Sequence, residues 1–349
     1  MGVGSQGFGI CSQESLIMRR FLLIQIGLLF IYITASAQLK WQNVDSQFQP
    51  LPASVHVYRT TDSLGGKPNI AYYVEADLKD KKLDFTADTS YKRRLTPLKY
   101  YERNDKPLVV VNTTFFSFAT NQNLNVVIKN GKLVGYNIHT INGRGKDTFT
   151  YRHPFGSAIG ISKKREADVA WLFTDSSFRI PYASQRPVRL FTDSFQTVIP
   201  MNALKMKRSN KLHPRKKRDY DRGFQKRRFE TAVGGGPVLL QNGQIKITNN
   251  EELKFAGKAI DDKHPRTAMG YTKDNKLIIL VIEGRNPGIA EGATLTQEAQ
   301  IFNDLGCWEA LNLDGGGSSC LLVNGRETIK VSDVAGQRPV PAVFIIRKK

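Results

Sequence analysis

The 349-residue chain has few cysteines: three, at positions 11, 307 and 320. That number excludes a disulfide-stapled scaffold, and their spacing excludes a CxxC zinc or redox motif. The five histidines, at 56, 139, 153, 213 and 264, form no HExxH, so no histidine-built metal site is expected. No apolar run reaches the roughly 20 residues that a membrane-crossing helix needs. Acid is also scarce, with 31 Asp+Glu against 51 Lys+Arg and a formal net charge of +20. What remains, 40% hydrophobic and 23% charged residues, is the composition of a folded globular chain. At this length, one large domain or two ordinary ones can bury a core without disulfide help.

The longest apolar run, Phe21 to Ile33, follows Arg19-Arg20 and precedes Ala35-Ser36-Ala37. A cationic start, a short apolar core and an A-x-A site form a secretory signal peptide. The reading therefore starts the protein at Met18, cleaves it after Ala37 and assigns it to the periplasm or the exterior. Residues 1–37 are then an N-terminal extension plus signal peptide, the signal being 18–37. In an oxidising compartment Cys307 and Cys320 could pair; buried free thiols are the expectation here.

After a polar lead-in over 38–67, short strands are expected at 70–76, 82–85, 108–112, 277–282, 310–313 and 320–323, with a short helix near 93–103. Three segments place apolar runs around Asn-Gly, at 130–131, 242–243 and 324–325. Asn-Gly supplies positive φ at both central positions of a type I′ turn, so each predicts a hairpin. A further hairpin is expected at Asp274-Asn275. A helix over 294–305 is predicted from Leu295, Ala299, Phe302 and Leu305 on one face and Gly306 as its stop. Recurrent hairpins, few helices and no strand–helix alternation predict an α+β fold of antiparallel or mixed sheets with a few packed helices.

Residues 205–228 carry 12 basic residues against Asp219 and Asp221. Basic runs can bind nucleic acid, but no nucleic-acid motif surrounds this one and its aromatics are sparse for a stacking platform. It is expected to be a solvated insertion, with no nucleic-acid partner.

The chemistry concentrates between 234 and 322. Asp314 ends an apolar strand and is followed by Gly315, Gly316, Gly317, Ser318 and Ser319. Glycines admit a ligand close to backbone N–H groups, so the loop is a candidate oxyanion cradle. It is not a P-loop, because no lysine follows, and not a dinucleotide fingerprint, because a strand rather than a helix comes next. Glu283 ends a second apolar strand, and two carboxylates flanking a sugar are the usual requirement of glycoside cleavage. Arg266 and Arg285 could grip a phosphate bidentately. His264 is open between acid/base catalyst, phosphate donor and packed loop residue.

VVVNTTFF (109–116), HPRTAMG (264–270), the strand ending in Glu283-Gly284-Arg285 and above all LNLDGGGSS (311–319) resemble the phosphodiester glycosidase family. The resemblance spans roughly residues 68–347, so 68–349 is taken as one family-like domain interrupted by 205–228. It departs from the family at Thr113 and Thr114, where a small residue usually follows the asparagine. It implies hydrolysis of the bond between a sugar anomeric carbon and a phosphodiester oxygen, an N-acetylglucosamine-1-phosphate diester being one candidate. Asp314, Glu283 and His264 are then the catalytic candidates. Asn112, Arg266, Thr267, Arg285, Gly315, Gly316, Gly317, Ser318 and Ser319 are candidates for holding sugar or phosphate. Which carboxylate is nucleophile or base stays open. No motif asks for a cofactor; a structural divalent cation is left open. The expected partner is a glycan or sugar-phosphodiester substrate, with oligomeric state unread. The rival reading is a non-catalytic carbohydrate-binding or exopolysaccharide-assembly protein; a polyanion binder acting through 205–228 ranks third.

Overall fold

Each Asn-Gly forms the hairpin its backbone chemistry favours. Both residues have positive φ at 130–131 (51° and 72°), 242–243 (55° and 74°) and 324–325 (49° and 77°). The strands they join are Val127–Lys129 with Lys132–Gly135, Val238–Gln241 with Gln244–Ile245, and Leu321–Val323 with Arg326–Glu327. Arg266–Thr272 and Lys276–Ile282 pair across Asp274-Asn275 as expected.

The computed structural model describes residues 1–2, 38–142, 151–177, 179–187, 189–190, 225–256 and 260–349. The expected signal peptide at 18–37 and most of the basic stretch, 205–224, lie outside the described residues. Met1–Gln38 separates as a unit of its own from Leu39–Lys349, which holds everything considered below. Among the described residues no helix is long and apolar enough to cross a membrane.

The fold is α+β, mostly antiparallel sheet with three α-helices among the described residues. The eight-stranded sheet has the strand order 42–43, 55–60, 71–77, 276–282, 266–272, 307–312, 238–241, 244–245. Residues 38–67, the lead-in of the sequence reading, thus supply its first two strands, along with Val44, Phe48, Val55 and Val57 of the core. A five-stranded sheet contains Val109–Asn112 between Leu321–Val323 and Ala342–Lys348. A seven-stranded sheet is built around Gly156–Ile161, and three short strands form a fourth sheet.

The three large sheets turn one face each onto a shared core. Val74, Ile279 and Leu311 of the first meet Val109, Val111 and Phe344 of the second and Ile159, Trp171 and Val233 of the third. Because strand side chains alternate between faces, Val110 points away from that core and packs with Tyr100 of the helix Pro97–Arg103. On the outer face of the eight-stranded sheet lies the helix Leu295–Asp304, whose Leu295, Ala299 and Phe302 pack on Ala268, Leu280 and Ile282. Thr294 caps it, accepting from the Gln297 N–H while the Gln297 side chain accepts from the Thr294 N–H. Cys307 and Cys320 are free and buried, in different clusters.

One carboxylate ties two sheets and a helix together. Asp88, on Leu83–Thr89 and 4% exposed, accepts from Lys129 Nζ at 2.8 Å, from Asn104 Nδ2 at 2.9 Å and from Arg103. Burial works against its charge, but these donors outweigh it and hold its pKa below the ordinary value. A depressed carboxylate pKa gives stability that is present above the unfolded value near 4 and lost as pH falls through the folded one. Asp88→Ala is therefore expected to cost about 1–3 kcal/mol at pH 7. Denaturant unfolding should find the deficit shrinking below pH 4; a deficit independent of pH would refute the charge as its source.

Candidate active site around Asp314

In the eight-stranded sheet the Arg266–Thr272 strand lies between Lys276–Ile282 and Cys307–Asn312, antiparallel to both. Its start and the other two strands' ends therefore share one sheet edge, which brings His264, Arg266, Glu283 and Asp314 together. Glu283 and Asp314 lie on either side of the central strand, two strand spacings or about 10 Å apart.

Asn112, fully buried at the end of Val109–Asn112, joins this edge to the five-stranded sheet. Its Nδ2 donates to the Asp314 carbonyl at 2.5 Å, and its Oδ1 accepts from Thr267 Oγ1 and the Cys320 N–H, both at 3.0 Å. The Asp314 N–H donates to the Thr113 carbonyl at 2.7 Å. The polar atoms of Asn112 and Thr267 are thus spent on each other and on the loop backbone, so both position Asp314.

Beyond Asp314 the chain makes a 3-10 turn over Gly316–Ser318. The N–H groups of Gly316, Ser318 and Ser319 donate to the carbonyls of Pro265, Gly315 and Gly316. The loop's amides are therefore largely committed to its own shape, unlike the expected oxyanion cradle. The glycines answer a different need. Gly316 has a φ of +63°, and a Cβ there would sit 3.0 Å from Arg285 Nη2. A Cβ on Gly317 would overlap the Arg338 guanidinium. Two arginines occupy the space that side chains on these glycines would fill.

Arg338 is the functional candidate that the sequence reading missed. It lies in the irregular 330–341 segment, inside no motif; three consecutive glycines were the only hint that something bulky packs there. Arg338 Nε donates to Asp333 Oδ2 at 2.7 Å. Arg285 is exposed and has no carboxylate within ion-pair distance among the described residues.

Asp314 lies beside Arg338 and is half-buried, but its Oδ2 has neither solvent contact nor a hydrogen-bond partner. Burial pushes its pKa up to about 7, while the Ser318 hydroxyl, the Arg338 guanidinium and the Gly315 N–H pull the other way. Thr113 Oγ1, Thr114 Oγ1, Asn312 Oδ1 and Ser319 Oγ are likewise buried without partners. Native structures leave few polar atoms so, and their concentration on the two segments that Asn112 joins marks a polar site built for a ligand.

The other expected residues take supporting places. Glu283, 4% exposed, accepts from the Lys330 N–H at 3.0 Å and from Asn286 Nδ2 at 3.3 Å, bracing the loop that carries Arg285. Arg266, 3% exposed, donates through Nε to the Ala293 carbonyl and through Nη2 to that of Asp262. Its guanidinium is thus engaged by backbone. Glu298 lies near it, its carboxyl raised to about 8 by burial and drawn back by the arginine. His264 is half-buried and exchanges backbone hydrogen bonds with Ala293; burial, Arg266 and Arg285 lower its pKa, which keeps the ring neutral at pH 7. Among the described residues no group of three His, Cys, Asp or Glu could hold a metal ion.

Residues 196–347 match the family model described as phosphodiester glycosidase. In that stretch the chain is similar to the phosphodiester glycosidase family. Among curated proteins it is 39% identical over 71 residues to the SPbeta prophage-derived uncharacterized protein YomE of Bacillus subtilis (strain 168), covering 20% of this chain and 11% of that one. It is 26% identical over 113 residues to the N-acetylglucosamine-1-phosphodiester alpha-N-acetylglucosaminidase of Mus musculus, covering 30% of this chain and 22% of the mouse protein. The chain thus matches only a small part of these curated relatives. Among solved structures, the catalytic domain of the zebrafish enzyme of that name, auto-inhibited by its pro-peptide, superposes with a TM-score of 0.52 at 20% identity. That match covers 89% of each chain. A hypothetical protein from Synechocystis superposes with a TM-score of 0.56 at 14% identity, over 89% of this chain and 64% of the other. At such identities these likenesses show a shared fold.

Gly317→Ala tests the packing of arginine on glycine. The obstacle is the end of a flexible side chain, so the variant should fold while Arg338 is displaced. With that cation moved, the Asp314 carboxyl should titrate above about 7. Carboxyl-carbon NMR follows the titration directly, and an unchanged midpoint would show that Arg338 does not act on Asp314.

Proposed function

We propose that this protein hydrolyses a sugar-1-phosphodiester, releasing the free sugar and a phosphomonoester. The single observation carrying this reading is geometric: Asp314, with one carboxyl oxygen buried without a partner, starts a glycine loop on which two arginines pack, at Gly316 and Gly317. The family match and the name of the mouse relative support the same bond and make N-acetylglucosamine-1-phosphodiesters the first substrates to try.

The chemistry suits this geometry. The departing group is a phosphomonoester, a weak base, so the barrier lies in carrying charge as the C–O bond breaks. Arg285 and Arg338 stabilise negative charge developing on the departing phosphate. At the anomeric carbon, positive charge develops as in other glycoside cleavages. A carboxyl with a pKa near 7 is matched to moving a proton at neutral pH, from the attacking water or to the departing oxygen. His264, neutral at pH 7, stands at the same edge as a second proton acceptor. The signal layout of 18–37 supports export, so the reaction belongs to the periplasm or the exterior.

The test is incubation of the protein with a panel of sugar-1-phosphodiesters and identification of both products. Asp314→Asn should lower kcat by about 10²–10⁴ with little change in KM, since the carboxyl acts in the transition state. The wild-type rate should inflect near pH 7, falling above it if Asp314 donates a proton and rising if it accepts one. Arg338→Ala should move that inflection upward, because the cation holds the pKa down. Binding of these diesters with no product, in wild type and Asp314→Asn alike, would instead identify a non-catalytic carbohydrate-binding protein.

A further inference from the structure

Outside Arg285 and Arg338 an aromatic platform borders the loop. Phe118 is 64% exposed, and its ring centroid lies 4.7 Å from that of Phe116, which is 8% exposed and anchored in the cluster behind the five-stranded sheet. Two guanidiniums stack on it: Arg338 with Cζ 5.4 Å from the Phe118 centroid, and Arg94 at 5.5 Å from Phe118 and 4.8 Å from Phe116. The platform is held in place. The Ser117 N–H donates to the Gln122 carbonyl at 2.9 Å, closing the turn that carries Phe118. Arg94 is next to Leu95, which exchanges backbone hydrogen bonds with Val340, two residues from Arg338.

A lone exposed aromatic needs no explanation, and arginines often cover one. Here the ring remains 64% exposed under two guanidiniums, and one of them also packs on the glycine loop. Arg94 has no carboxylate partner among the described residues, while Asp333 takes Arg338. A phosphodiester brings one negative charge, and Arg285 with Arg338 already matches it. Among the described residues Arg94 is thus a cation without a counterion, on the far side of Arg338 from Asp314 along this chain of contacts.

We propose that Phe118 and Arg94, adjoining Arg338, form an outer subsite for the alcohol side of the phosphodiester, selecting leaving groups with an apolar ring face and a second negative charge. The proposal rests on the hydrolase reading for its direction: the sugar lies toward Asp314, the phosphate over Arg285 and Arg338, and the leaving alcohol next outward. The ring face stacks on Phe118, and the additional anion meets Arg94.

Two diesters of one sugar test it, with a 4-carboxybenzyl and a methyl leaving group. Stacking and the second ion contact together should favour the former in kcat/KM by about tenfold, or about 1.4 kcal/mol. Phe118→Ala and Arg94→Gln should each bring that ratio toward one, mainly through KM of the carboxybenzyl diester. Phe118 is exposed, so its truncation leaves the core intact. A ratio near one in the wild type, or a ratio unchanged in both variants, overturns the subsite. Calorimetric binding of 4-carboxybenzyl phosphate against methyl phosphate, in the same three proteins, separates this outcome from failure of the hydrolase reading. The same preference in binding without cleavage of any diester would retain the subsite and reject the hydrolase.

Discussion

The side-chain amide of Asn112 joins the two sheets at the site. Rooted in the five-stranded sheet, it donates to the backbone of Asp314 and accepts from Thr267 of the eight-stranded sheet and from Cys320. Both ends of the glycine loop are thereby fixed to a fully buried group, at a point where a misplaced polar atom would be expensive. The Asp314 backbone is so fixed, and burial raises the pKa of the side chain that this backbone carries.

Asp88 and Asp314 show how narrow that balance is. Asp88 is buried and Asp314 half-buried, and burial acts on both in the same direction. Asp88 receives hydrogen bonds from a lysine, an arginine and an amide, and stays ionised. Asp314 has one oxygen without any partner and its nearest cation shared with Asp333, and is raised to about 7. The difference follows the number of donors that each carboxyl receives.

Much of the fold was legible because its signals are local. Asn-Gly turns, alternating strands and the apolar face of 294–305 with its Gly306 stop act within a few residues. Hence the hairpins and the helix Leu295–Asp304 lie where the pattern puts them, the helix one residue shorter at each end than expected. Asp314 and its glycines were also visible, as a strand-terminal acid before residues without side chains. What the glycines face was not. The expected backbone cradle requires free amides, and whether amides are free depends on carbonyls such as that of Pro265, distant in sequence. Arg338 and Arg266 exchanged their expected importance for the same reason. Arginine next to a motif residue reads as a ligand, yet Arg266 is engaged by the carbonyls of Ala293 and Asp262, while an arginine outside any motif packs on Gly317.

The shared core has a bearing on how the site is lost. The strand at the centre of the site edge, Arg266–Thr272, is hydrogen-bonded on both sides and contributes Met269 to the cluster where three sheets meet. Local opening draws on exposed, weakly packed segments, and this strand offers none. Its amides are expected to exchange through the larger openings of the molecule, and Asp314 is tied to it through Leu313, whose N–H donates to the Thr267 carbonyl. Heating is therefore expected to release Asp314 from its strand together with the fold rather than ahead of it.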